Sequence, residues 1–384
     1  KPTLPSAVFF NADEESTHYG RDALQEYLEG YEGRLMRALK SLLGSNLMEG
    51  STEVGGRALR YSDLLASFIG ELKQRAEVAA GRAFDQAVFG RPVFFVDDNP
   101  AADRRAQDTL EHIARQVGFR EVSFQFEPIG AALHYEASLA REELVLIADI
   151  GGGTADFSLV RLSPERARHL DRQDDLLGNA GLHVGGTDFD RALSLECVMP
   201  LLGHKSLMKS GAEIPSGLFF QLATWHTINF AYTRQAFADF QHLYRDACAR
   251  RELDRLARLI GRREGHWLAL QVEQAKIDLS AAATTRLQLD RLEADLAHDI
   301  GREDFARATQ GLVDRVAQTV HALLAQAGLA REQVDTLYFT GGASGVPQLR
   351  ARIAAELPRA RSVEGDLFGS IGAGLAVEAA RRYG

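Results

Sequence analysis

Apolar residues recur along this chain with two different periods, and the changes of period mark out its elements. Over residues 61–84 the positions Leu64, Leu65, Phe68, Ile69, Leu72 and Ala76 return every three or four residues. That spacing predicts a long helix with one buried face. Short apolar or β-branched runs at 3–10, 88–96, 121–126, 144–148, 157–160 and 334–340 predict strands instead. Pro92 lies inside the 88–96 run and demands an edge position or an irregularity there. Helical patterns cover 21–44, closing at Gly44, and 102–117, closing at Gly118. Another helix starts at Glu127-Pro128, with proline suited to a first turn, and its Gly130, Ala131 and Ala132 allow close backbone packing. The polar, glycine-bearing stretch 45–56 predicts a loop.

Downstream, 194–270 reads as mostly helical, followed by a helix at 270–280, strands near 285–290 and a helix over 303–327. A last strand falls near Ser362-Val363, and a last helix begins at about Gly369. Each half thus runs strands, then helices, then a helix rich in small residues (130–139 and 372–380). That echo predicts an α/β protein of two related lobes.

The segment LVLIADIGGGTADFSLV, residues 144–160, carries the most chemistry. A buried strand ends at Asp149, three glycines follow (Gly151, Gly152, Gly153), then Thr154 and Asp156, and a second strand begins. Glycine leaves backbone N–H groups unobstructed, so the tip of such a hairpin can approach a phosphate. Two carboxylates beside phosphate make sense if a divalent cation or an attacking water stands between them. The same residues also suit a tight turn with solvated aspartates. No Gly-Lys-Ser/Thr follows, so this is not a Walker loop.

Composition narrows the partners. The content of 45% apolar and 25% charged residues is that of a soluble globular protein. A net charge of −9 argues against nucleic acid or an anionic membrane as the main partner. With only Cys197 and Cys248, no disulfide framework is expected and a cytoplasmic location fits. No run approaches the roughly 18 apolar residues of a membrane span. Arginines cluster from Arg234 to Arg263, but Asp239, Asp246, Glu252 and Asp254 are interleaved, so that stretch reads as a solvated helical face.

Three further segments suit a nucleotide, each also explicable as ordinary packing or a solvated face. VDTLYFT (334–340) leads into Gly341-Gly342 and then Val346-Pro347, a strand, glycine turn and helix that present N–H groups and a positive helix end. VEQAKIDLS (272–280) places Glu273, Lys276 and Ser280 on one helical face. HVGGTDFD (183–190) adds a second glycine turn with carboxylates, Gly185-Gly186.

The order of these segments resembles the ATPase domain of the DnaK-type seventy-kilodalton heat-shock chaperones, in the actin, sugar-kinase and heat-shock ATPase superfamily. DIGGGTADFSLV resembles that superfamily's second phosphate motif, and LYFTGGASGVPQLR its adenosine motif. EPIGAALHYE (127–136) and FGSIGAGLAVEAA (368–380) resemble its two connecting helices, and VEQAKIDLS the chaperone helix that grips adenosine. The likeness is thinnest over about 195–268, and the Arg-rich stretch there looks closest to the YegD type of chaperone-like protein.

The resemblance implies two lobes of ribonuclease-H-like fold with a nucleotide cleft between them. Lobe I would be 1–141 completed by 369–384; lobe II would be 142–368, with a helical subdomain at about 195–270. It further implies ATP or ADP with Mg2+ as cofactors and slow ATP hydrolysis. Asp149 would hold the metal's water shell or orient the attacking water, Asp156 would serve the cation from the other side, and Glu127 would reach it through water. Thr154 and the N–H groups of Gly151, Gly152 and Gly153 would meet the terminal phosphates, with Gly185 and Gly186 on the far wall. Glu273, Lys276 and Ser280 would bond ribose and adenine. Gly341, Gly342 and Ser344 would cover the adenosine, with Asp366 at its base. A protein client or co-chaperone is the implied partner besides nucleotide.

Departures qualify the likeness. Where the chaperones stack an arginine on adenine, this chain has Ile277. Lys40-Ser41-Leu42-Leu43-Gly44 resembles the marker before the chaperones' catalytic lysine, yet 45–60 holds no lysine; Arg57 and Arg60 are candidate substitutes. The family's first phosphate hairpin, of pattern Asp-x-Gly-Thr, is expected upstream of Lys1; the alternative is its loss, which would remove one phosphate cradle and one metal carboxylate and leave weak nucleotide binding with little hydrolysis. The expected function is a chaperone-like ATP-binding protein without a substrate-binding domain. A small-molecule kinase, an actin-like or MreB-like filament and a non-hydrolysing regulator remain as alternatives.

Overall fold

The structure is a computed structural model and describes residues 3–37, 43, 46–96, 99–367 and 369–384. Of the 40–44 marker only Leu43 falls among them. Two compact units emerge: Lys1–Glu142 with Leu162–Asp175 and Phe368–Gly384, and Glu143–Arg161 with Leu176–Leu367.

The first unit opens with a three-stranded antiparallel sheet in the order β2-β1-β3, from β1 (Ala7–Asn11), β2 (Ser16–Tyr19) and β3 (Gly33–Arg37). The helix expected over 21–44 is shorter: α1 covers Arg21–Glu29 and stops where Gly30 turns left-handed at φ 94°. Past that glycine, Leu35 and Met36 pair opposite Phe9 and Val8 on β1, so their apolar character serves a strand. A Cβ on Gly33 would stand 2.1 Å from the Phe10 carbonyl oxygen, so that register requires glycine.

The expected loop at 45–56 holds half of a second hairpin, β4 (Ser51–Val54) and β5 (Arg57–Arg60). Gly55 and Gly56 both have positive φ, the two-residue turn whose twist matches its strands. Helix α2 (Tyr61–Ala80) buries Leu64, Leu65, Phe68 and Ile69, whereas Leu72 and Ala76 of the same stripe face solvent. Strand β6 (Gln86–Arg91) ends directly before Pro92; α3 (Pro100–Gln116) follows, and β7 (Glu121–Phe126) pairs with β6 in parallel.

Helix α4 (Glu127–Glu136) packs on the last helix, Ser370–Tyr383, through bare backbone. A Cβ on Gly374 would lie 1.9 Å from the Gly130 carbonyl oxygen, so the two small-residue helices touch glycine on glycine. At the other end of α4, Glu136 is buried and accepts two bonds from the fully buried Arg172 guanidinium (2.9 and 2.7 Å) and one from Ser163 N–H (3.1 Å). Arg172 also bonds Asp175. Buried charges are tolerable only when paired and hydrogen-bonded this fully. The network fastens 162–175 to α4.

The second unit is built on a five-stranded mixed sheet from β8 (Glu143–Ile150), β9 (Ala155–Leu162), β10 (Leu176–Leu182), β13 (Thr336–Thr340) and β14 (Arg361–Glu364), in the order β10-β9-β8-β13-β14. Strand β10, LLGNAGL, carries too little apolar alternation to announce itself in sequence. Its Gly178 lets Leu323 of α10 (Arg302–Gln326) approach, 3.0 Å from where a Cβ would stand. Helices α5 (Gly186–Leu193), α6 (Gly217–Ala223), α7 (Arg234–Asp246), α8 (Arg250–Gly261), α9 (Gly265–Ala281) and α11 (Pro347–Glu356), with the hairpin β11 (Thr284–Gln288) and β12 (Ala297–Gly301), complete it. In the Arg-rich stretch, Arg251 and Arg255 pair with Glu293, while Arg258 and Arg262 donate to the Leu292 and Arg291 carbonyls. These arginines tie the 289–293 turn to α8. Among the described residues no helix is long and apolar enough to cross a membrane.

The glycine contact between α4 and the last helix is directly testable. Gly374→Ala should destabilise the chain by about 1–3 kcal/mol, because the new methyl must displace backbone. Gly372→Ala, whose methyl meets nothing within 4 Å on the same helix, should be neutral or stabilising. Urea midpoints of the two variants measure the difference.

Candidate functional site

Parallel pairing of β8 with β13 sets Thr340 opposite Asp149. The carboxyl ends of two adjacent strands in an open α/β sheet are where ligands are commonly received. Both strands there run into glycine turns.

Beyond β8 the chain reverses through Gly151–Gly153. Gly151 N–H donates to the Thr154 carbonyl at 2.9 Å. Among the described residues the amides of Gly152 and Gly153 have no acceptor. Both glycines are exposed, and a Cβ at either would meet nothing within 4 Å. The tip therefore carries two adjacent N–H groups without an acceptor on exposed glycines, which suits an anion cradle. Asp149 is half-buried at the strand's end; Asp156 is exposed and accepts the Thr154 hydroxyl at 3.0 Å.

Gly185 and Gly186 support this tip from behind. A Cβ on Gly185 would fall 2.4 Å from Gly153 N, so only glycine lets α5 approach. The first amides of α5 are turned onto the hairpin: Gly186 N–H donates to the Gly151 carbonyl (2.9 Å), and Thr187 N–H and hydroxyl to the Gly152 carbonyl (2.8 and 2.9 Å). Asp188 reaches back to Gly185 N–H at 3.0 Å, closing the helix start. These contacts thus engage the hairpin carbonyls of Gly151 and Gly152, while the amides of Gly152 and Gly153 have no acceptor among the described residues. Thr187 was not singled out by pattern, although its place after a double glycine at a helix start is a capping signal.

At the end of β13, Gly341 takes φ +81° and a Cβ on it would lie 2.5 Å from Asp149 Oδ1. Ser344 is buried and donates its hydroxyl to the Gly341 carbonyl at 2.7 Å, so it shapes the turn rather than facing solvent. Gly342 begins the same single 3-10 turn.

Lys276 on α9 is also buried. Its ammonium donates to Asp190 at 2.9 Å and to the Gly186 carbonyl at 3.3 Å. A Cβ on Gly186 would stand 3.4 Å from Lys276 Nζ and 3.6 Å from the Ala343 side chain. Four segments that are distant in sequence therefore meet around Gly186. Glu273 and Ile277 on α9 are exposed, and Ser280 is half-buried with its hydroxyl donating to the Lys276 carbonyl (3.2 Å). Asp190 is the residue that sequence reasoning missed. It lay inside the same GGTDFD segment, and a buried lysine needs a counter-charge.

Asp366 is exposed just past β14, held near β13 by Gly365 N–H donating to the Phe339 carbonyl (3.0 Å). Glu127 belongs to the first unit, where it opens α4, half-buried; its Oε1 would be 3.3 Å from a Cβ on Gly90 of β6. The second unit thus gathers Asp149, 151–154, 185–187, Lys276 and 341–344 in one place. Among the described residues, three His, Cys or carboxylate donors lie within 4.8 Å of one another only at Glu14, His18 and Glu26 of the first unit. A hydrated Mg2+ needs only one or two carboxylates and keeps its waters, so Asp149 and Asp156 suit that ion better than a full ligand cage would.

Compared with known protein families, the sequence matches the family model described as "Hsp70 protein" over residues 4–204 and 254–380. The matched stretches contain every one of the residues gathered here.

Burial, against the pull of Lys276, raises the Asp190 carboxyl to about 6. A raised carboxyl contributes stability that is fully present below its unfolded value near 4 and lost as pH rises through about 6. The difference in stability between wild type and Asp190→Asn should therefore shift against wild type from pH 4 to pH 6. Denaturant unfolding at a series of pH values checks this; a difference independent of pH would refute it.

Proposed function

Since the chain belongs to the Hsp70 family and carries a chaperone-type ATP-binding domain, we propose that it binds Mg-ATP and Mg-ADP at the glycine turns of the second unit and hydrolyses ATP slowly. The observation that carries this reading is the hairpin tip. Gly152 and Gly153 offer two amides with no acceptor among the described residues, in a turn backed by α5 and following the strand that carries Asp149.

In this reading the amides of Gly152 and Gly153 and the Thr154 hydroxyl donate to the terminal phosphates. Bound Mg-ATP supplies the phosphoanhydride that is cleaved. Asp149, pinned at the end of β8 beside Gly341, orients the attacking water or accepts from the cation's water shell; Asp156 does the same from the neighbouring strand, and Glu127 through water. Such preorganised groups are each worth roughly 10²–10³ in rate. Gly341 and Gly342 leave room for the adenosine, with Glu273, Ser280 and Asp366 as its polar partners. Lys276, held by Asp190, fixes the position of α9 against α5, and Ser344 fixes the turn. Unit one is assigned to the first lobe and unit two to the second, with 195–270 as its helical subdomain. A protein client or co-chaperone would read the nucleotide state.

Ile277 marks a difference from the chaperones that the resemblance identified. It is 53% exposed, so it can pack against a purine but supplies no cation. Isothermal titration with Mg-ATP should show binding, and its absence at about 1 mM nucleotide would sink the proposal. Ile277→Arg should tighten nucleotide binding roughly two- to thirtyfold, the span of a cation–π contact of about 0.5–2 kcal/mol. Asp149→Asn should keep nucleotide binding while lowering the single-turnover hydrolysis rate by roughly 10²-fold or more.

A further inference from the structure

Away from the glycine turns, the helical part of the second unit holds a concave site of about 270 Å3 where the start of α7 meets the end of α8. Ile260, 6% exposed, lies at its base, and Phe237, 49% exposed, forms a wall. The Tyr232 ring is fixed because its hydroxyl accepts from Gly265 N–H at 2.8 Å. A Cβ on Gly265 would meet that hydroxyl at 2.6 Å, so glycine is required for the ring to sit there. Thr233 caps α7 by accepting from Ala236 N–H at 3.2 Å, which holds this wall in place.

Two guanidiniums lie at the site. Arg234 and Arg263 are both exposed, and among the described residues neither guanidinium has a hydrogen-bond or ion-pair partner. That sets them apart from Arg251, Arg255, Arg258 and Arg262 nearby, which are all engaged. Arg263 moreover takes φ +54°, a conformation that an L side chain adopts at some cost. In a chain of net charge −9, two uncommitted cations beside an apolar hollow are a local inversion of the overall field. The wall from Tyr232 to Phe237 falls in 205–253, between the two stretches matched by the family model.

The geometry points to a binding site for an acidic peptide segment of a partner protein, one large apolar side chain filling the hollow and flanking carboxylates pairing with Arg234 and Arg263. The buried Ile260 and the exposed Phe237 give the hollow an apolar lining that suits an apolar side chain. An aromatic anchor in a pocket beside arginine is also the usual composition of an interface hot spot. Guanidinium forks take carboxylates bidentately, which selects an acidic partner over a neutral one. The site is separate from the glycine turns and does not depend on the nucleotide reading.

Fluorescence anisotropy on the full chain tests the proposal with labelled peptides Asp-Glu-Phe-Glu-Asp and Asp-Glu-Leu-Glu-Asp. Asp-Glu-Ala-Glu-Asp and Ser-Gln-Phe-Gln-Ser serve as controls. Both anchored acidic peptides should bind, each control at least about fivefold more weakly, with affinity falling as salt rises. Arg234→Glu and Arg263→Gly should each weaken the anchored peptides about fivefold or more. Arg263→Gly also suits the backbone there, so loss of fold cannot explain its effect. Failure of both anchored peptides to bind at about 1 mM overturns the proposal. So does equal binding of the neutral peptide, or binding that both variants leave unchanged.

Discussion

Everything at the candidate site depends on one register, the parallel pairing of β8 with β13 that sets Thr340 beside Asp149. Because the two strands run the same way, both leave the sheet at the same edge and both must turn there. The β13 turn is possible only with a residue that tolerates φ +81° and has no Cβ to strike Asp149. The β8 turn is backed by α5, whose first amides take the hairpin's carbonyls as acceptors. With the carbonyls of Gly151 and Gly152 engaged, the amides of the exposed Gly152 and Gly153 are left without an acceptor among the described residues. A slip of one residue between β8 and β13 would part Thr340 from Asp149 and the Gly341 turn from the Asp149 and Ile150 atoms it fits against.

Two buried charge systems hold the elements that this register leaves unsupported. In the first unit Arg172, Glu136 and Asp175 join a strand-following segment to the end of α4. In the second, Lys276 and Asp190 join α9 to α5. They differ in completeness. Glu136 has three donors, and its arginine is bidentate, which is the condition under which a buried pair offsets its desolvation. Asp190 meets a single ammonium, and burial still raises its carboxyl to about 6. The second pair therefore changes with pH around that value, and it stands directly behind the glycine turns.

The Arg-rich helical stretch divides along the same physical line. Most of its guanidiniums cap carbonyls or pair with Glu293, which explains why so much positive charge accompanies an ordinary folded surface. Arg234 and Arg263 are the exceptions, and they adjoin exposed aromatic surface. Charge that is committed within the fold stabilises it; charge left uncommitted beside an apolar hollow is available to something else.

Much of this was legible in the residues alone. The 144–160 hairpin, the 334–342 strand and turn, and the small-residue helices announce themselves because each needs a local signature: an apolar run, glycines at a turn, absent side chains at a contact. Helix 21–44 was overextended because Leu35 and Met36 fit a helical period as well as a strand, and only the pairing with β1 separates the two. Strands β4, β5 and β10 were invisible because short, polar or glycine-containing strands owe their existence to neighbours. At the site, sequence alone picked out the glycine turns at 151–153, 185–186 and 341–342 and the carboxylate of Asp149, which the structure gathers in one place. Only the tertiary structure decided that Lys276 and Ser344 face inward, that Asp190 answers the lysine, and that the α5 amides serve the hairpin. The lysine and its carboxylate are 86 residues apart and the Thr187 hydroxyl is 35 from its acceptor, and no local pattern encodes partners at such separations.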